Sequence, residues 1–362
     1  MSQTDERAGG RLSRLDRFLP VWIGLAMVGG LLLGSAFPRL DDLLNALSIG
    51  TTSVPIAIGL LVMMYPVLAK VRWESLGRMR SDAINDRALF STSLILSWVV
   101  GPLLMFALAW LLLPNEPAFR TGVIIVGLAR CIAMVLVWND IACGDRDRAA
   151  VLVVFNALFQ VVAYGVLGWF YLTVLPGWLG LDTQGLTVGI WEVARTVLVF
   201  LGIPLAAGFA TRMYLIRRRG VDWYESTFVP RVSPFTLYGL LFTIVLLFAL
   251  QGKAITDNPL DVVRIALPLL AYFFIMWMAG FVIGWVMRMR YPQTATLAFT
   301  VASNDFELAI AVAVGVFGAT SGEALAGTVG PLVEVPVLLG LVYLALWARD
   351  RFTWPRPVRS GA

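Results

Sequence analysis

The chain has 362 residues, of which 59% are hydrophobic and only 14% are charged, whereas soluble domains carry about 25% charged residues. This composition excludes a soluble globular protein and indicates a polytopic membrane protein in a lipid bilayer. The formal net charge is +5, but the basic residues lie in short connections between apolar segments, so no nucleic-acid partner is expected. The chain has no histidine and two cysteines, which leaves neither the commonest zinc ligand nor a disulfide framework.

Ten apolar segments are long enough to cross a bilayer as helices, which need about 17–25 apolar residues. We predict membrane-spanning helices at residues 18–37, 53–69, 89–113, 121–142, 149–174, 188–211, 233–250, 265–287, 293–318 and 329–348. Polar tails remain at residues 1–17 and 349–362. With the N-terminus inside, most Lys and Arg residues fall in the inner connections, so the charge pattern predicts that both tails are cytoplasmic.

The ten segments divide into two groups of five that have nearly the same spacing. Residues 18–174 form the first group and residues 188–348 form the second. Because five is odd, the second group must enter the membrane from the opposite side. The spacing therefore predicts an all-α fold of two inverted five-helix repeats, a plan in which transporters bind substrate at the interface between the repeats. In this plan the fourth segment corresponds to the ninth.

The fourth and ninth segments carry ionisable side chains near their centres, in the motifs Gly127-Leu128-Ala129-Arg130-Cys131 and Ser303-Asn304-Asp305-Phe306-Glu307. Ionisable groups at this depth are costly, so they normally face a protein interior or a watery cavity and serve function. Gly127 permits a helix break in the fourth segment. The ninth is expected to break at residues 303–305, because these polar side chains compete for backbone hydrogen bonds. We therefore expect two broken helices with exposed ends at the midplane.

Several side chains in these segments suit a transport cycle. Cys131 is a soft ligand for a thiophilic solute, and the adjacent Arg130 favours the thiolate; otherwise Cys131 is a small buried apolar residue. Glu307 is a candidate proton carrier, unless it forms an ion pair with Arg130 that only fixes packing. Asp305 is a second carboxylate nearby, and Glu334 is a third that lies in the tenth segment.

Three long stretches of the sequence, residues 127–161, 303–326 and 330–343, resemble the arsenite efflux permeases of the bile acid/arsenite/riboflavin transporter superfamily. The resemblance implies ten transmembrane helices in an inverted repeat, with broken helices 4 and 9 crossing at the midplane. It also implies export of arsenite, sometimes antimonite, in exchange for protons, which confers arsenic resistance. The family's usual Ser-Asn-Asn-Phe-Glu motif has Asp305 in place of the second Asn here, which changes the local charge.

The same resemblance implies the residues of the site. The family's reactive cysteine corresponds to Cys131, which would bind the metalloid arsenic, and its glutamate in the ninth span corresponds to Glu307. The implied substrate-binding set is Cys131, Arg130, Trp138, Asn156, Ser303, Asn304 and Phe306. The implied proton-coupling set is Glu307, Asp305 and Glu334. Neither a cofactor nor enzymatic activity is expected.

The expected partners are arsenite or antimonite, protons and the lipids of the cell membrane, and a homo-oligomer is left open. The only Gly-Lys pair, Gly252-Lys253, is followed by Ala254, so a Walker A loop is absent and this chain is not expected to hydrolyse ATP itself. The energy would come from an ion gradient or from a partner ATPase, and we do not predict that an ATPase is required. One alternative function is a sodium-coupled importer of an organic anion such as a bile acid, although sodium requires oxygen ligands rather than sulfur. Another is a membrane sensor or receptor, which is disfavoured because only a short polar segment follows the last apolar segment.

Overall fold

A computed structural model describes residues 19–355 except for 38–39, 41–43, 45, 50–51, 74–85 and 182–188. The predicted N-terminal tail and residues 356–362 of the C-terminal tail lie outside the described residues. The described chain is almost entirely helical, and six of its helices are long and apolar enough to cross a membrane. Four shorter apolar helices accompany them. This architecture is that of a multi-pass membrane protein.

Helices occupy all ten apolar segments, with the fourth and ninth each divided into two. In chain order they are α1 (Leu19–Ala36), α2 (Val54–Ala69), α3 (Arg87–Leu112), α4 (Pro117–Leu128), α5 (Met134–Ile141), α6 (Arg146–Trp178), α7 (Ile190–Arg219), α8 (Val221–Trp223, a π turn at Tyr224–Phe228, and Val229–Asp257), α9 (Pro259–Val286), α10 (Tyr291–Ala302), α11 (Phe306–Phe317) and α12 (Gly322–Arg351). Further π turns interrupt α3, α6 and α7 at Leu96–Val100, Phe170–Val174 and Leu198–Gly202.

Two very short strands precede α2, and the all-α prediction did not include them. Strand β1 (Ser48–Ile49) pairs antiparallel with β2 (Thr52–Ser53). A pair of two-residue strands is too short to produce the alternating apolar and polar pattern from which strands are predicted. The difference is local, since the hairpin only joins α1 to α2.

The helices form two groups. In the first group, α8 packs against α1 and α2, and α2 packs against α7. The approach of α1 to α8 requires glycine, because a Cβ atom at Gly34 would overlap the carbonyl oxygen of Ala249. In the second group, α9 packs against α3, α10 and α12, and α4 packs against α3 and α12. The groups meet where the start of α7 contacts α6 and α11, and where α2 contacts α11.

Large apolar side chains cover much of the outer surface. Val162 is 78% exposed, Leu111 is 73% exposed and Trp191 is 70% exposed. An apolar surface of this kind is unfavourable in water, whereas hydrocarbon chains of a bilayer cover it without cost. Several buried polar side chains, by contrast, lie at or next to the breaks in the divided helices α4–α5 and α10–α11, among them Arg130, Ser303, Asn304 and Asp305.

Candidate functional site

Both divided helices are interrupted near their centres. α4 ends at Leu128 and α5 begins at Met134, while residues 303–305 separate α10 from α11. The predicted role of Gly127 is wrong, because α4 continues through it and the break begins one residue after Leu128. Gly127 instead allows close packing of α4 on α3, where a Cβ atom would overlap the side chain of Met105.

The two breaks lie side by side and are joined by backbone hydrogen bonds. Arg130 and Asn304 form an antiparallel bridge. The amide of Cys131 donates to the carbonyl of Ser303 at 3.3 Å, and the amide of Asp305 donates to the carbonyl of Ala129 at 3.2 Å. We call residues 129–133 and 303–305 the crossing. Two helix C-termini and two helix N-termini therefore converge at one place.

Side chains bind the carbonyl groups that the end of α4 leaves free. The last turn of a helix has carbonyl groups without intrahelical partners, and these are costly when buried. The carbonyls of Ile125, Val126 and Gly127 accept hydrogen bonds from Tyr164 Oη at 2.6 Å, from Asn304 Nδ2 at 2.6 Å and from Arg130 Nη2, respectively. The protein itself thus supplies hydrogen-bond donors for these three carbonyl groups, and one of the donors, Asn304, comes from the break between α10 and α11.

Arg130 is fully buried, and its guanidinium group lies against helix C-termini rather than against a carboxylate. It donates to the Tyr272 hydroxyl at 2.6 Å, to the carbonyl of Val301 at 3.4 Å and to the carbonyl of Gly127. Val301 and Gly127 lie in the last turns of α10 and α4, so one cation serves both helix ends, where positive charge is stabilising. Among the described residues Arg130 forms no ion pair with Glu307, the pairing considered from the sequence.

The two N-termini at the crossing are capped by the side chains of Cys131 and Asp305. The sulfur of Cys131 accepts a hydrogen bond from the amide of Val135 in α5 at 3.3 Å. A carboxylate oxygen of Asp305 accepts one from the amide of Leu308 in α11 at 3.0 Å. This contact gives the Cys131 sulfur one hydrogen-bond donor at a helix N-terminus. Cys131 is a free thiol and only 4% exposed.

Three carboxyl groups lie near enough to the Cys131 sulfur to interact with it electrostatically. Glu334 is buried, and its Oε1 atom accepts hydrogen bonds from Ser303 Oγ at 2.8 Å and from the amide of Asn304 at 3.3 Å. The carboxyl groups of Asp305 and Glu307 are electrostatic neighbours at the start of α11, and Glu307 is the only one of the three that is partly exposed. Within the described part of the chain, none of these carboxyl groups is in an ion pair.

The other predicted site residues have packing partners. The side-chain oxygen of Asn156 accepts a hydrogen bond from the indole of Trp98 at 3.3 Å. Trp138 is buried on α5. Phe306 is buried against the ring of Phe273, and it fills space next to α12 that only a glycine, Gly330, leaves open.

Two contributors to the crossing were absent from the predicted set. Gln160 Oε1 accepts a hydrogen bond from the backbone amide of Arg130 at 2.6 Å, and Tyr272 holds the Arg130 guanidinium. The sequence offered a way to find Gln160. The spacing from Gln160 to Glu334 is the same as the spacing from Arg130 to Asn304. Tyr272 had none, since a tyrosine in an apolar helix is usually packing.

Divided membrane helices that cross beside buried ionisable groups are typical of the binding region of membrane transporters. The chain matches the model of the Sodium Bile acid symporter family over residues 57–258. It is 55% identical over 355 residues to the arsenical-resistance protein Acr3 of Corynebacterium glutamicum, covering 97% of this chain and 95% of that protein. It is 30% identical over 366 residues to the Acr3 protein of Alkaliphilus metalliredigens, covering 98% of each.

An uncharacterised transporter of Synechocystis, slr0944, is 34% identical over 369 residues, which cover 97% of this chain and 92% of that protein. The chain therefore belongs to the sodium bile acid symporter family, in its arsenical-resistance branch. It is a transporter and not an enzyme.

Proposed function

We propose that this protein exports trivalent arsenite from the cytoplasm in exchange for protons and so confers arsenic resistance. The observation that carries the proposal is the placement of the Cys131 sulfur at a helix N-terminus beside three carboxyl groups without ion pairs. Sulfur binds arsenic, and carboxyl groups bind protons. The names of the two Acr3 relatives, arsenical-resistance proteins, support this substrate. Antimonite, the corresponding thiophilic hydroxide of trivalent antimony, is a second substrate.

The proposed architecture is ten membrane helices in two inverted repeats, at residues 18–174 and 188–348. Helices 4 and 9 are α4–α5 and α10–α11, which cross at the midplane of the cell membrane, and the tails at 1–17 and 349–362 are cytoplasmic. The antiparallel bridge between the two breaks supports this arrangement, since it joins equivalent positions of the two repeats. The excess of Lys and Arg in the inner connections supports the orientation.

Arsenite binds Cys131 covalently and reversibly in this proposal. Near neutral pH arsenite is the uncharged As(OH)3. One As–S bond forms and one As–O bond breaks, and the thiol proton leaves with the hydroxyl group as water. A single thiol is sufficient, because transport requires binding weak enough to permit release. Trp138, Asn156, Ser303, Asn304 and Phe306 shape the space around the bound arsenic, and Arg130 holds the two breaks together.

Protons drive the cycle through the carboxyl groups. Glu307 is partly exposed, so it takes up a proton from the outer solution, which favours release of arsenite and the return of the empty site. Asp305 and Glu334 complete the proton-coupling set. Because the three carboxyl groups have no basic partner among the described residues, their charge depends on protons alone.

Transport in everted membrane vesicles with an imposed proton gradient tests this function. Arsenite accumulation is expected in vesicles that carry the protein, and Cys131→Ser should abolish it. Cys143→Ser is the matched control, since Cys143 is exposed at the end of α5. Glu307→Gln should uncouple arsenite flux from the gradient. Full, gradient-driven activity in Cys131→Ser would rule out the sulfur as arsenic ligand, and full activity in Glu307→Gln would rule out the carboxyl group as proton carrier. In an arsenic-sensitive strain that lacks its own exporters, expression of the protein should restore arsenic resistance.

A sodium-coupled carrier of organic anions is the second candidate, because the matching family model describes sodium bile acid symporters. The carboxylate oxygens at the crossing are suitable sodium ligands. Uptake of a bile acid that requires sodium, and that persists in Cys131→Ser, would decide for this function.

A further inference from the structure

Helix α7 ends with three consecutive arginines, at residues 217–219, and all three are exposed. The next residue, Gly220, has a positive φ of 84°, a conformation that glycine adopts without steric cost. Helix α8 begins directly after it, at Val221. We call residues 214–223 the basic corner. It places three guanidinium groups on one tight connection between two membrane helices.

The arginines of the basic corner have no carboxylate to neutralise them. Within the described part of the chain, none of residues 217–219 is in an ion pair. Glu225, the nearest glutamate, pairs instead with Arg72 at 3.0 Å and with Arg212 at 3.2 Å. Asp222 is the one acidic residue of the corner, so three arginines less one aspartate leave a net charge of +2. Positive charge is common at one end of membrane helices, but here it also lacks an internal partner.

Aromatic rings lie against two of the three guanidinium groups. The guanidinium carbon of Arg219 is 4.5 Å from the centre of the Trp223 ring, and that of Arg218 is 5.4 Å from the centre of the Tyr214 ring. A cation within about 6 Å of a ring centre is attracted to the ring face. Each contact restricts the arginine while leaving its N–H groups available, and these form paired hydrogen bonds with phosphate oxygens.

Apolar side chains are exposed on the same two helices. Tyr214 and Val221 are 59% and 44% exposed within the corner, and further along the helices Phe209 is 43% exposed and Phe235 is 51% exposed. Tyrosine and tryptophan are typical of the level of the lipid headgroups. A ligand that fits this boundary has an anionic group for the arginines and hydrocarbon for the apolar surface. A phospholipid has both parts, whereas a soluble anion has only the first.

We propose that the basic corner binds the headgroup of an anionic phospholipid. Arg218 and Arg219 donate hydrogen bonds to the phosphate group, Arg217 adds positive charge, and the acyl chains lie along α7 and α8. A lipid with a net negative headgroup is selected, because the three arginines repel the choline of a zwitterionic lipid. The corner belongs to the first helix group, so the lipid attaches to the group that does not contain the crossing. This site is independent of which solute the protein transports.

Lipid binding to the purified, full-length protein in detergent tests the site, measured by native mass spectrometry. The probe is dioleoyl phosphatidylglycerol, and dioleoyl phosphatidylcholine, which has the same acyl chains, is the comparison lipid. We expect tighter binding of phosphatidylglycerol to the parent protein. Replacement of Arg217, Arg218 and Arg219 by glutamine should weaken this binding on the order of a hundredfold, because each basic residue beside an anionic lipid contributes about fivefold.

The matched control removes the same charge from the second helix group. Arg87, Arg288 and Arg351 are exposed at the ends of its helices, and their joint replacement by glutamine should leave phosphatidylglycerol binding close to that of the parent. Asp222→Asn should strengthen binding about fivefold, because it removes the one negative charge of the corner. This variant retains all three arginines, so it tests the site without altering the charges that orient α7 in the membrane.

Three results would overturn the proposal. The first is phosphatidylglycerol binding that survives the loss of all three arginines of the corner. The second is equal weakening by the two triple substitutions, since net charge would then govern binding. The third is full displacement of the lipid by an equal concentration of glycerol 3-phosphate, which would make the ligand a soluble phosphate. Folding of each variant is checked by its elution as a single species in detergent.

Discussion

Gln160 and Glu334 make the same contact on opposite sides of the crossing. The Oε1 atom of Gln160 accepts a hydrogen bond from the amide of Arg130 at 2.6 Å, and the Oε1 atom of Glu334 accepts one from the amide of Asn304 at 3.3 Å. Arg130 and Asn304 are themselves paired in the antiparallel bridge. The same structural task is thus performed by a neutral amide in one half of the chain and by an ionisable carboxyl group in the other.

Replacement of Gln160 by leucine should destabilise the protein. The amide of Arg130 is buried, and its loss of a partner costs about 1–3 kcal/mol. We expect a lower thermal unfolding temperature in detergent. Gln293→Leu is the control, since Gln293 accepts from the amide of Arg290 and donates to Asp86 at the partly exposed start of α10, where water can replace lost partners and the loss should cost less. Equal unfolding temperatures for Gln160→Leu and the parent protein would contradict this assignment.

Arg130→Lys should reduce stability and transport together. A guanidinium group has five donors in a fixed plane, and a lysine ammonium group cannot reach Tyr272, Val301 and Gly127 at once. Tyr272→Phe removes a single hydrogen bond of this set and should cost only about 1 kcal/mol. The measurements are thermal unfolding and arsenite flux in vesicles. If Arg130→Lys unfolds like the parent protein but no longer binds arsenite, Arg130 contacts substrate instead of positioning the crossing.

Asp305→Asn should preserve the fold and change the coupling to protons. Asparagine still caps α11, because its side-chain oxygen can accept a hydrogen bond from the Leu308 amide as aspartate does. It removes one of two neighbouring carboxyl groups, and like charges that lie close together repel each other when both are ionised. We expect arsenite transport to continue with fewer protons moved per arsenite. Paired measurements of arsenite flux and of proton flux would show this ratio, and an unchanged ratio would exclude Asp305 from proton coupling.

Asp305→Ala separates the capping role from the charge. It removes both, so it should lower stability by about 1 kcal/mol relative to Asp305→Asn. Identical unfolding temperatures for the two variants would mean that the cap contributes nothing.

Gln251 should control access to the crossing from one side of the membrane. It lies in α8 of the first helix group and donates to the carbonyl of Ala319, at 2.7 Å, in the connection between α11 and α12 of the second group. In alternating access the two helix groups must move relative to each other to open the site to one side of the membrane at a time. Gln251→Leu removes this hydrogen bond between the two groups. In the Cys143→Ser background, we expect faster labelling of Cys131 by a membrane-impermeant thiol reagent applied outside. Unchanged labelling would show that the contact does not hold the groups together.

The positions of the helices could be predicted from the sequence because hydropathy and length determine which segments cross a bilayer. The break at residues 303–305 was predictable too, since three consecutive polar side chains compete with the helix. The break in the fourth segment was predicted at Gly127, whereas the helix continues to Leu128. The sequence shows that Gly127 lacks a side chain, but not whether this freedom serves a bend or close packing against Met105. Only the packed structure decides that question.

The contacts of Arg130 could not be predicted for a related reason. The sequence shows a cation beside Cys131 and carboxyl groups half a chain away, and an ion pair is the simplest expectation. It does not show that two helices end at this point, nor that their free carbonyl groups require donors. Those donors come from residues distant in sequence, among them Tyr164 and Asn304.

The antiparallel bridge between the two breaks also limits how the sequence can evolve. An extra residue within 303–305 would shift the pairing with Ala129 and Cys131 by one position and turn alternate side chains to the opposite face. The same insertion in 129–133 would do so from the other side. Changes of length in one break must therefore be matched in the other, so the two stretches are expected to vary in composition but to keep a common register across related proteins.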